Sequence, residues 1–174
     1  MRYGGKTAQL GVMVGELCEG TKGAVEELRL AFDGVENTLK AAEPTLLVNL
    51  TVPLGMLKEP AEILQYLNEL VATSDRSLEA LNGVSVPDAV AGYKAFFMDL
   101  ITNIRSAARD SISLLRSGTT VLVNAGGESS KRVSELISAY PALAEEIFAA
   151  LKINRLDPLV ERVELEINRL YLGE

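Results

Sequence analysis

The sequence predicts an all-α fold, an elongated antiparallel helical bundle formed by a single domain over residues 1–174. Three observations predict it. Apolar and small residues recur in alternating steps of four and three over long stretches, the spacing of one helix face. Proline, Asn-Gly and Gly-Gly fall where these runs stop. Hydrophobic residues make up 48% of the chain, enough for a sizeable core.

The first stripe runs Leu10, Val14, Leu17, Thr21, Ala24, Leu28, Ala31, Val35, Thr38, Ala42, with a flank every seven residues at Cys18, Val25, Phe32 and Leu39. Three positions per heptad suit a helix with more than one neighbour, here expected over about 7–42 and ended by Pro44. A second stripe, Pro60, Leu64, Leu67, Val71, Ser74, Leu78 and Leu81, predicts a helix at about 60–82, closed by Asn82-Gly83. The third stripe passes from Phe97 through Ile101, Ile104, Ala108, Ser111, Leu115 and Gly118 to Leu122 and Ala125, and predicts a second long helix at about 87–125.

That third stripe bears on "TTVLVNAGGESSKR" (119–132), where a β-branched run meets two glycines. A strand at 119–123 is the rival reading, since four of those five residues are β-branched. The unbroken phase favours helix, with Gly126-Gly127 as its C-terminal cap. Neither reading makes a phosphate cradle, because the third glycine of G-x-G-x-x-G and the Gly-Lys-Ser/Thr of a P-loop are missing. Shorter helices follow at about 129–139, 141–153 and 158–172, the second started by Pro141 and the last by Asp157-Pro158.

The absent residue types exclude several chemistries. With no His and one Cys, the chain cannot build a His-dependent triad, a Cys-His pair or a His-ligated metal site. Cys18 cannot form an intrachain disulfide, and is expected to be a small buried hydrophobe in a cytoplasmic protein. A net charge of −7 repels a phosphate backbone, so no nucleic-acid partner is expected. The longest uncharged apolar run, Pro44 to Leu57, has 14 residues and contains Pro53 and Gly55, against roughly 20 residues for a membrane span. No cofactor or metal is indicated.

Three groups of residues remain as candidate sites. The uncharged stretch 44–57 reads as an apolar crossover that caps the bundle, or as a docking surface formed by Leu46, Leu47, Val48, Leu50, Val52, Leu54 and Met56. Gly11 and Gly15 lie one helical turn apart, either as a point of close helix contact in an oligomer or as a loosened N-terminus. Tyr93, Phe96 and Phe97 are core residues or the lining of an apolar pocket. Carboxylate pairs such as Glu16/Glu19 and Glu59/Glu62 could hold Mg²⁺, but equally suit solvated helix faces.

These features lead to one expectation with two alternatives. The expected function is a non-catalytic scaffold or assembly protein, self-associating or bound to a protein partner through helical surfaces. The first alternative is a bundle that binds an apolar small molecule. The weaker one is a Mg²⁺-dependent all-α nucleotide hydrolase.

Overall fold

The computed structural model describes residues 4–51, 59–118, 127–152 and 157–172. Among them are five α-helices and no strand: α1 (Gly4–Thr51), α2 (Pro60–Gly83), α3 (Ala91–Arg116), α4 (Gly127–Leu151) and α5 (Asp157–Leu172). A 3-10 turn at Asp88–Val90 leads into α3. The all-α bundle expected from periodicity is what forms.

Cross-helix pairs set the topology. Thr45 of α1 meets Ser77 of α2, and Gly34 faces Val86 and Val90 beyond the end of α2. Asp75 of α2 pairs with Arg105 and Arg109 of α3, while Lys94 reaches back to the Val84 carbonyl. Asp99 of α3 pairs with Arg132 of α4, and Tyr93 meets Tyr140. In each case rising numbers on one helix meet falling numbers on the next, so α1 to α4 run up, down, up, down. The exposed ion pairs fix this register more than they add stability.

The central positions of the predicted stripes face inward from Ala31 onwards, whereas the flank expected to widen the first stripe does not: Cys18, Val25, Phe32 and Leu39 are exposed, because no neighbouring helix closes over that side of α1. Ala31, Val35, Thr38 and Ala42 of α1 are buried, as are Leu67, Ser74, Leu78 and Leu81 of α2 and Phe97, Ile101, Ile104, Ala108 and Ser111 of α3. Small residues line the contact between α1 and α2. Their hydroxyls are satisfied locally: Thr38 donates to the Gly34 carbonyl (2.7 Å), Ser74 to the Leu70 carbonyl (2.7 Å), and Thr45 to Ser77 (2.9 Å). Such pairing lets polar side chains sit in a core without a desolvation penalty.

Four boundaries differ from the sequence expectation. The helix expected to stop before Pro44 continues through it to Thr51, so 44–51 is the last two turns of α1 and not a crossover. The Pro44 ring is exposed, while Ala42 and Thr45 on either side are fully buried, and packing against α2 outweighs the lost backbone bond. The helices expected at 129–139 and 141–153 are one helix, α4, which carries Pro141 inside it. Tyr140, Leu143 and Ala144, half-buried around Pro141, hold it in the same way.

The long helix expected over 87–125 instead ends at Arg116. The Ser117 N–H returns to the Ser113 and Leu114 carbonyls, and Gly118 adopts φ +83°, a left-handed stop that glycine reaches at low cost. Gly127, expected to cap that helix, begins α4 with φ +47°. Val121, Leu122, Gly126 and the choice between helix and strand at 119–123 lie outside the described residues.

Helix α1 has 48 residues and its neighbours 24 to 26, so at about 1.5 Å per residue it is roughly twice their length. The buried apolar residues described lie between Ala31 and Leu151. Before Ala31, α1 extends past the four-helix core; α5 lies against α1, yet Val25 and Leu30 stay exposed.

Candidate functional site

Helix α4 leans on α3, and α3 and α2 lean on α1, but the seam between α1 and α4 is not closed. An apolar cleft of about 350 Å³ lies there. Its back wall is α3, which presents Phe96, Phe97, Leu100 and Ile104 at helical spacing. Leu39, Leu46 and Asn49 of α1 form one side, and Ile137 and Tyr140 of α4 the other. None of these residues is charged.

Four aromatic rings build the wall. Phe96 and Phe97 meet edge to face at 5.3 Å between centroids, and Tyr93 and Phe97 do so at 5.1 Å. Tyr140 completes the group, 5.7 Å from Phe96 and 6.0 Å from Phe97. Such tilted arrangements suit the ring quadrupoles and hold the side chains rigid. Behind the wall, the Tyr93 and Tyr140 hydroxyls lie 3.0 Å apart and share a hydrogen bond. Burial first, and then that bond, pushes the Tyr93 phenol far above its usual range, so it is neutral at any physiological pH. Further along the seam Phe32 of α1 stacks on Phe148 of α4 at 6.1 Å.

The candidate residues are distributed unequally about this cleft. Phe96 and Phe97 line it directly, and Tyr93 supports it from the buried side. Leu46 lines it too; Val48 is half-buried nearby, and Leu47 points outward at 52% exposure. Leu50 belongs to α1, its side chain outside what is described, and Val52, Leu54 and Met56 lie outside the described residues. Gly11 and Gly15 both lie in α1, and among the described residues nothing comes close to a Cβ added at Gly15. Cys18 is exposed, contrary to its expected burial, because α1 has left the core at that point.

Sequence reasoning missed Leu39, Asn49, Leu100, Ile104, Ile137 and Tyr140 as members of one site. Periodicity marks Leu39, Leu100, Ile104, Ile137 and Tyr140 as inward on their own helices, and gives no mark to Asn49. It carries no information on which helices become neighbours.

Among the described residues no group of three or more Asp, Glu or Cys side chains converges to hold a metal ion. Glu26 is held by Arg29 at 2.7 Å. No described helix is long and apolar enough to cross a membrane. Comparison with family models, with curated proteins and with solved structures finds no match to this chain.

Proposed function

We propose that this chain is a non-catalytic helical binding module whose cleft between α1, α3 and α4 receives an apolar small molecule. The observation that carries this reading is the cleft itself, about 350 Å³ lined by nine uncharged residues from three helices and open at the seam between α1 and α4. That volume is at the small end of ligand sites, which are mostly apolar with a few polar groups to set orientation. The polar side chains of the lining are Asn49 and Tyr140, and the Tyr140 hydroxyl is taken up by Tyr93 behind the wall, so the ligand is an apolar body with about one hydrogen-bonding atom, near Asn49. A charged headgroup would find no counter-charge inside and would have to remain at the mouth.

A solvatochromic apolar dye should bind saturably at one site per folded chain. Ile137 stands at the rim, 53% exposed, so Ile137→Glu should weaken that binding about tenfold or more without unfolding the protein. Dye binding unaffected by Ile137→Glu would reject the cleft as the site.

A scaffold reading rests on a separate observation. The first half of α1 extends past the core with apolar side chains exposed, including Val25 at 55% and Leu30 at 45%. An exposed free Cys18 suits a reducing compartment, and we read the protein as cytoplasmic on that ground.

A further inference from the structure

We infer that a second copy of this chain docks on α1, with the two α1 helices antiparallel and a two-fold axis beside Phe32. The inference needs no ligand in the cleft, although Leu39 and Leu46 of the cleft form one end of the row it uses, and it rests on two rows of side chains along α1.

The first row is apolar and repeats every seven residues: Cys18, Val25, Phe32, Leu39, Leu46. A seven-residue repeat drifts by about 20° per heptad around a straight helix. The exposures follow that drift away from the bundle. Leu46 is half-buried in the cleft, Leu39 is 38% exposed, Phe32 52% and Val25 55%, and Cys18 is exposed. The bundle therefore covers one end of the row and leaves the other bare. A strict seven-residue apolar row is the pattern that a partner helix covers by supercoiling.

The second row lies four residues on, beside the first: Lys22, Arg29, Glu36 and Glu43, all exposed. It is basic towards the N-terminus and acidic towards the C-terminus. In parallel helices the two charged rows would lie on opposite flanks of the contact and would not meet. Antiparallel helices centred on Phe32 set Lys22 against the second copy's Glu43 and Arg29 against its Glu36, from both directions. The same register places Val25 on Leu39, Phe32 on Phe32, and the small Cys18 on Leu46, where the bundle already fills the space. One axis satisfies both rows.

In the single chain Arg29 pairs with Glu26 and Asp33, and Glu36 with Lys40, all exposed. Exchanging exposed pairs for cross-chain ones costs little. The row from 18 to 46 is about 42 Å long and about 10 Å wide, a contact of roughly 400 Å² a side. That is below the standard stable interface, so the dimer should form in the micromolar range.

The test combines mass, distance and charge exchange on the whole chain. At roughly 100 µM, well above a micromolar dissociation constant, light scattering should give twice the 18.7 kDa chain mass. Spin labels on Cys18 should lie about 40 Å apart, since antiparallel pairing separates them along the axis. Val25→Glu, with its helicity checked by circular dichroism, should weaken the dimer about tenfold or more. Arg29→Glu and Glu36→Arg should each weaken it by about fivefold, and the double variant should restore it. Positions 29 and 36 are about 10 Å apart within one chain, so restoration must come through the partner.

A monomer at that concentration would overturn the inference. So would Cys18 labels in close contact, a dimer indifferent to Val25→Glu, or a double variant as weak as the single ones. Val25 does not line the cleft, so Val25→Glu should leave dye binding by the dilute monomer unchanged, and failure of one proposal is distinguishable from failure of the other.

Discussion

Gly34 is required by a close approach, because α1 there crosses the turn that joins α2 to α3. A Cβ at that position would lie 3.3 Å from the Val86 and Val90 methyls and 3.4 Å from Pro87 Cδ, tighter than ordinary contact. Thr38, one turn on, donates its hydroxyl to the Gly34 carbonyl and is itself fully buried. A large side chain at 34 would push α1 off this turn and strain that bond as well. Gly34→Leu should therefore cost about 1–3 kcal/mol, the range for overpacking a filled site. The measurement is urea unfolding, with the midpoint falling at constant slope. At Gly15 and Gly23 the opposite holds: among the described residues nothing stands within 4 Å of an added Cβ.

At the scale of elements, the helices outlast their own punctuation. Pro44 lacks the N–H that would bond back to the Lys40 carbonyl and disfavours helix at Glu43, yet α1 continues for seven more residues. The compensation is tertiary: Ala42 and Thr45 are fully buried, and Leu46 and Val48 are half-buried against the rest of the bundle. Since the Pro44 ring itself is exposed, Pro44→Ala should restore the backbone bond without disturbing the core. It should stabilise the protein by about 1–3 kcal/mol, read as a rise in melting temperature; no rise would mean that the proline carries packing of its own. The same conflict marks the limit of what the sequence discloses. Stripes such as Ala31–Val35–Thr38–Ala42 and Phe97–Ile101–Ile104–Ala108 are legible because burial selects them at every turn. Ends are less legible, because a stop is a small local preference that packing can override, as at Pro44 and Pro141, or a glycine whose role depends on its φ, as at Gly118. The cleft was half legible: Phe96 and Phe97 stood out as an aromatic group, but their meeting with Tyr140 and Leu39 depends on helix order around the bundle.

At the scale of the whole molecule, α1 belongs to two regions of different stability. From Ala31 to Val48 its inner face is held by α2 and α3, and opening it would expose Ala31, Val35, Thr38, Ala42 and Thr45 together with their partners. Before Ala31 its described neighbours offer only partial cover: Thr21, Ala24 and Leu28 are half-buried while Val25 and Leu30 are exposed. A helix segment without a packed face is marginal in water, because propensity alone barely offsets the entropy of ordering it. Amide hydrogen exchange should therefore divide α1 near Ala31. Amides from Val35 to Val48 should exchange together with the cores of α2 and α3, through global unfolding. Those from Gly15 to Leu28 should exchange about 100-fold faster or more, through local opening. The sample must be dilute enough to be monomeric, because a second copy lying along α1 would slow the faster class and leave the slower one unchanged. Uniform protection along α1 in the dilute sample would show that the whole helix opens as one unit with the bundle. The exposed first half would then be stabilised by contacts with α5 stronger than its burial implies.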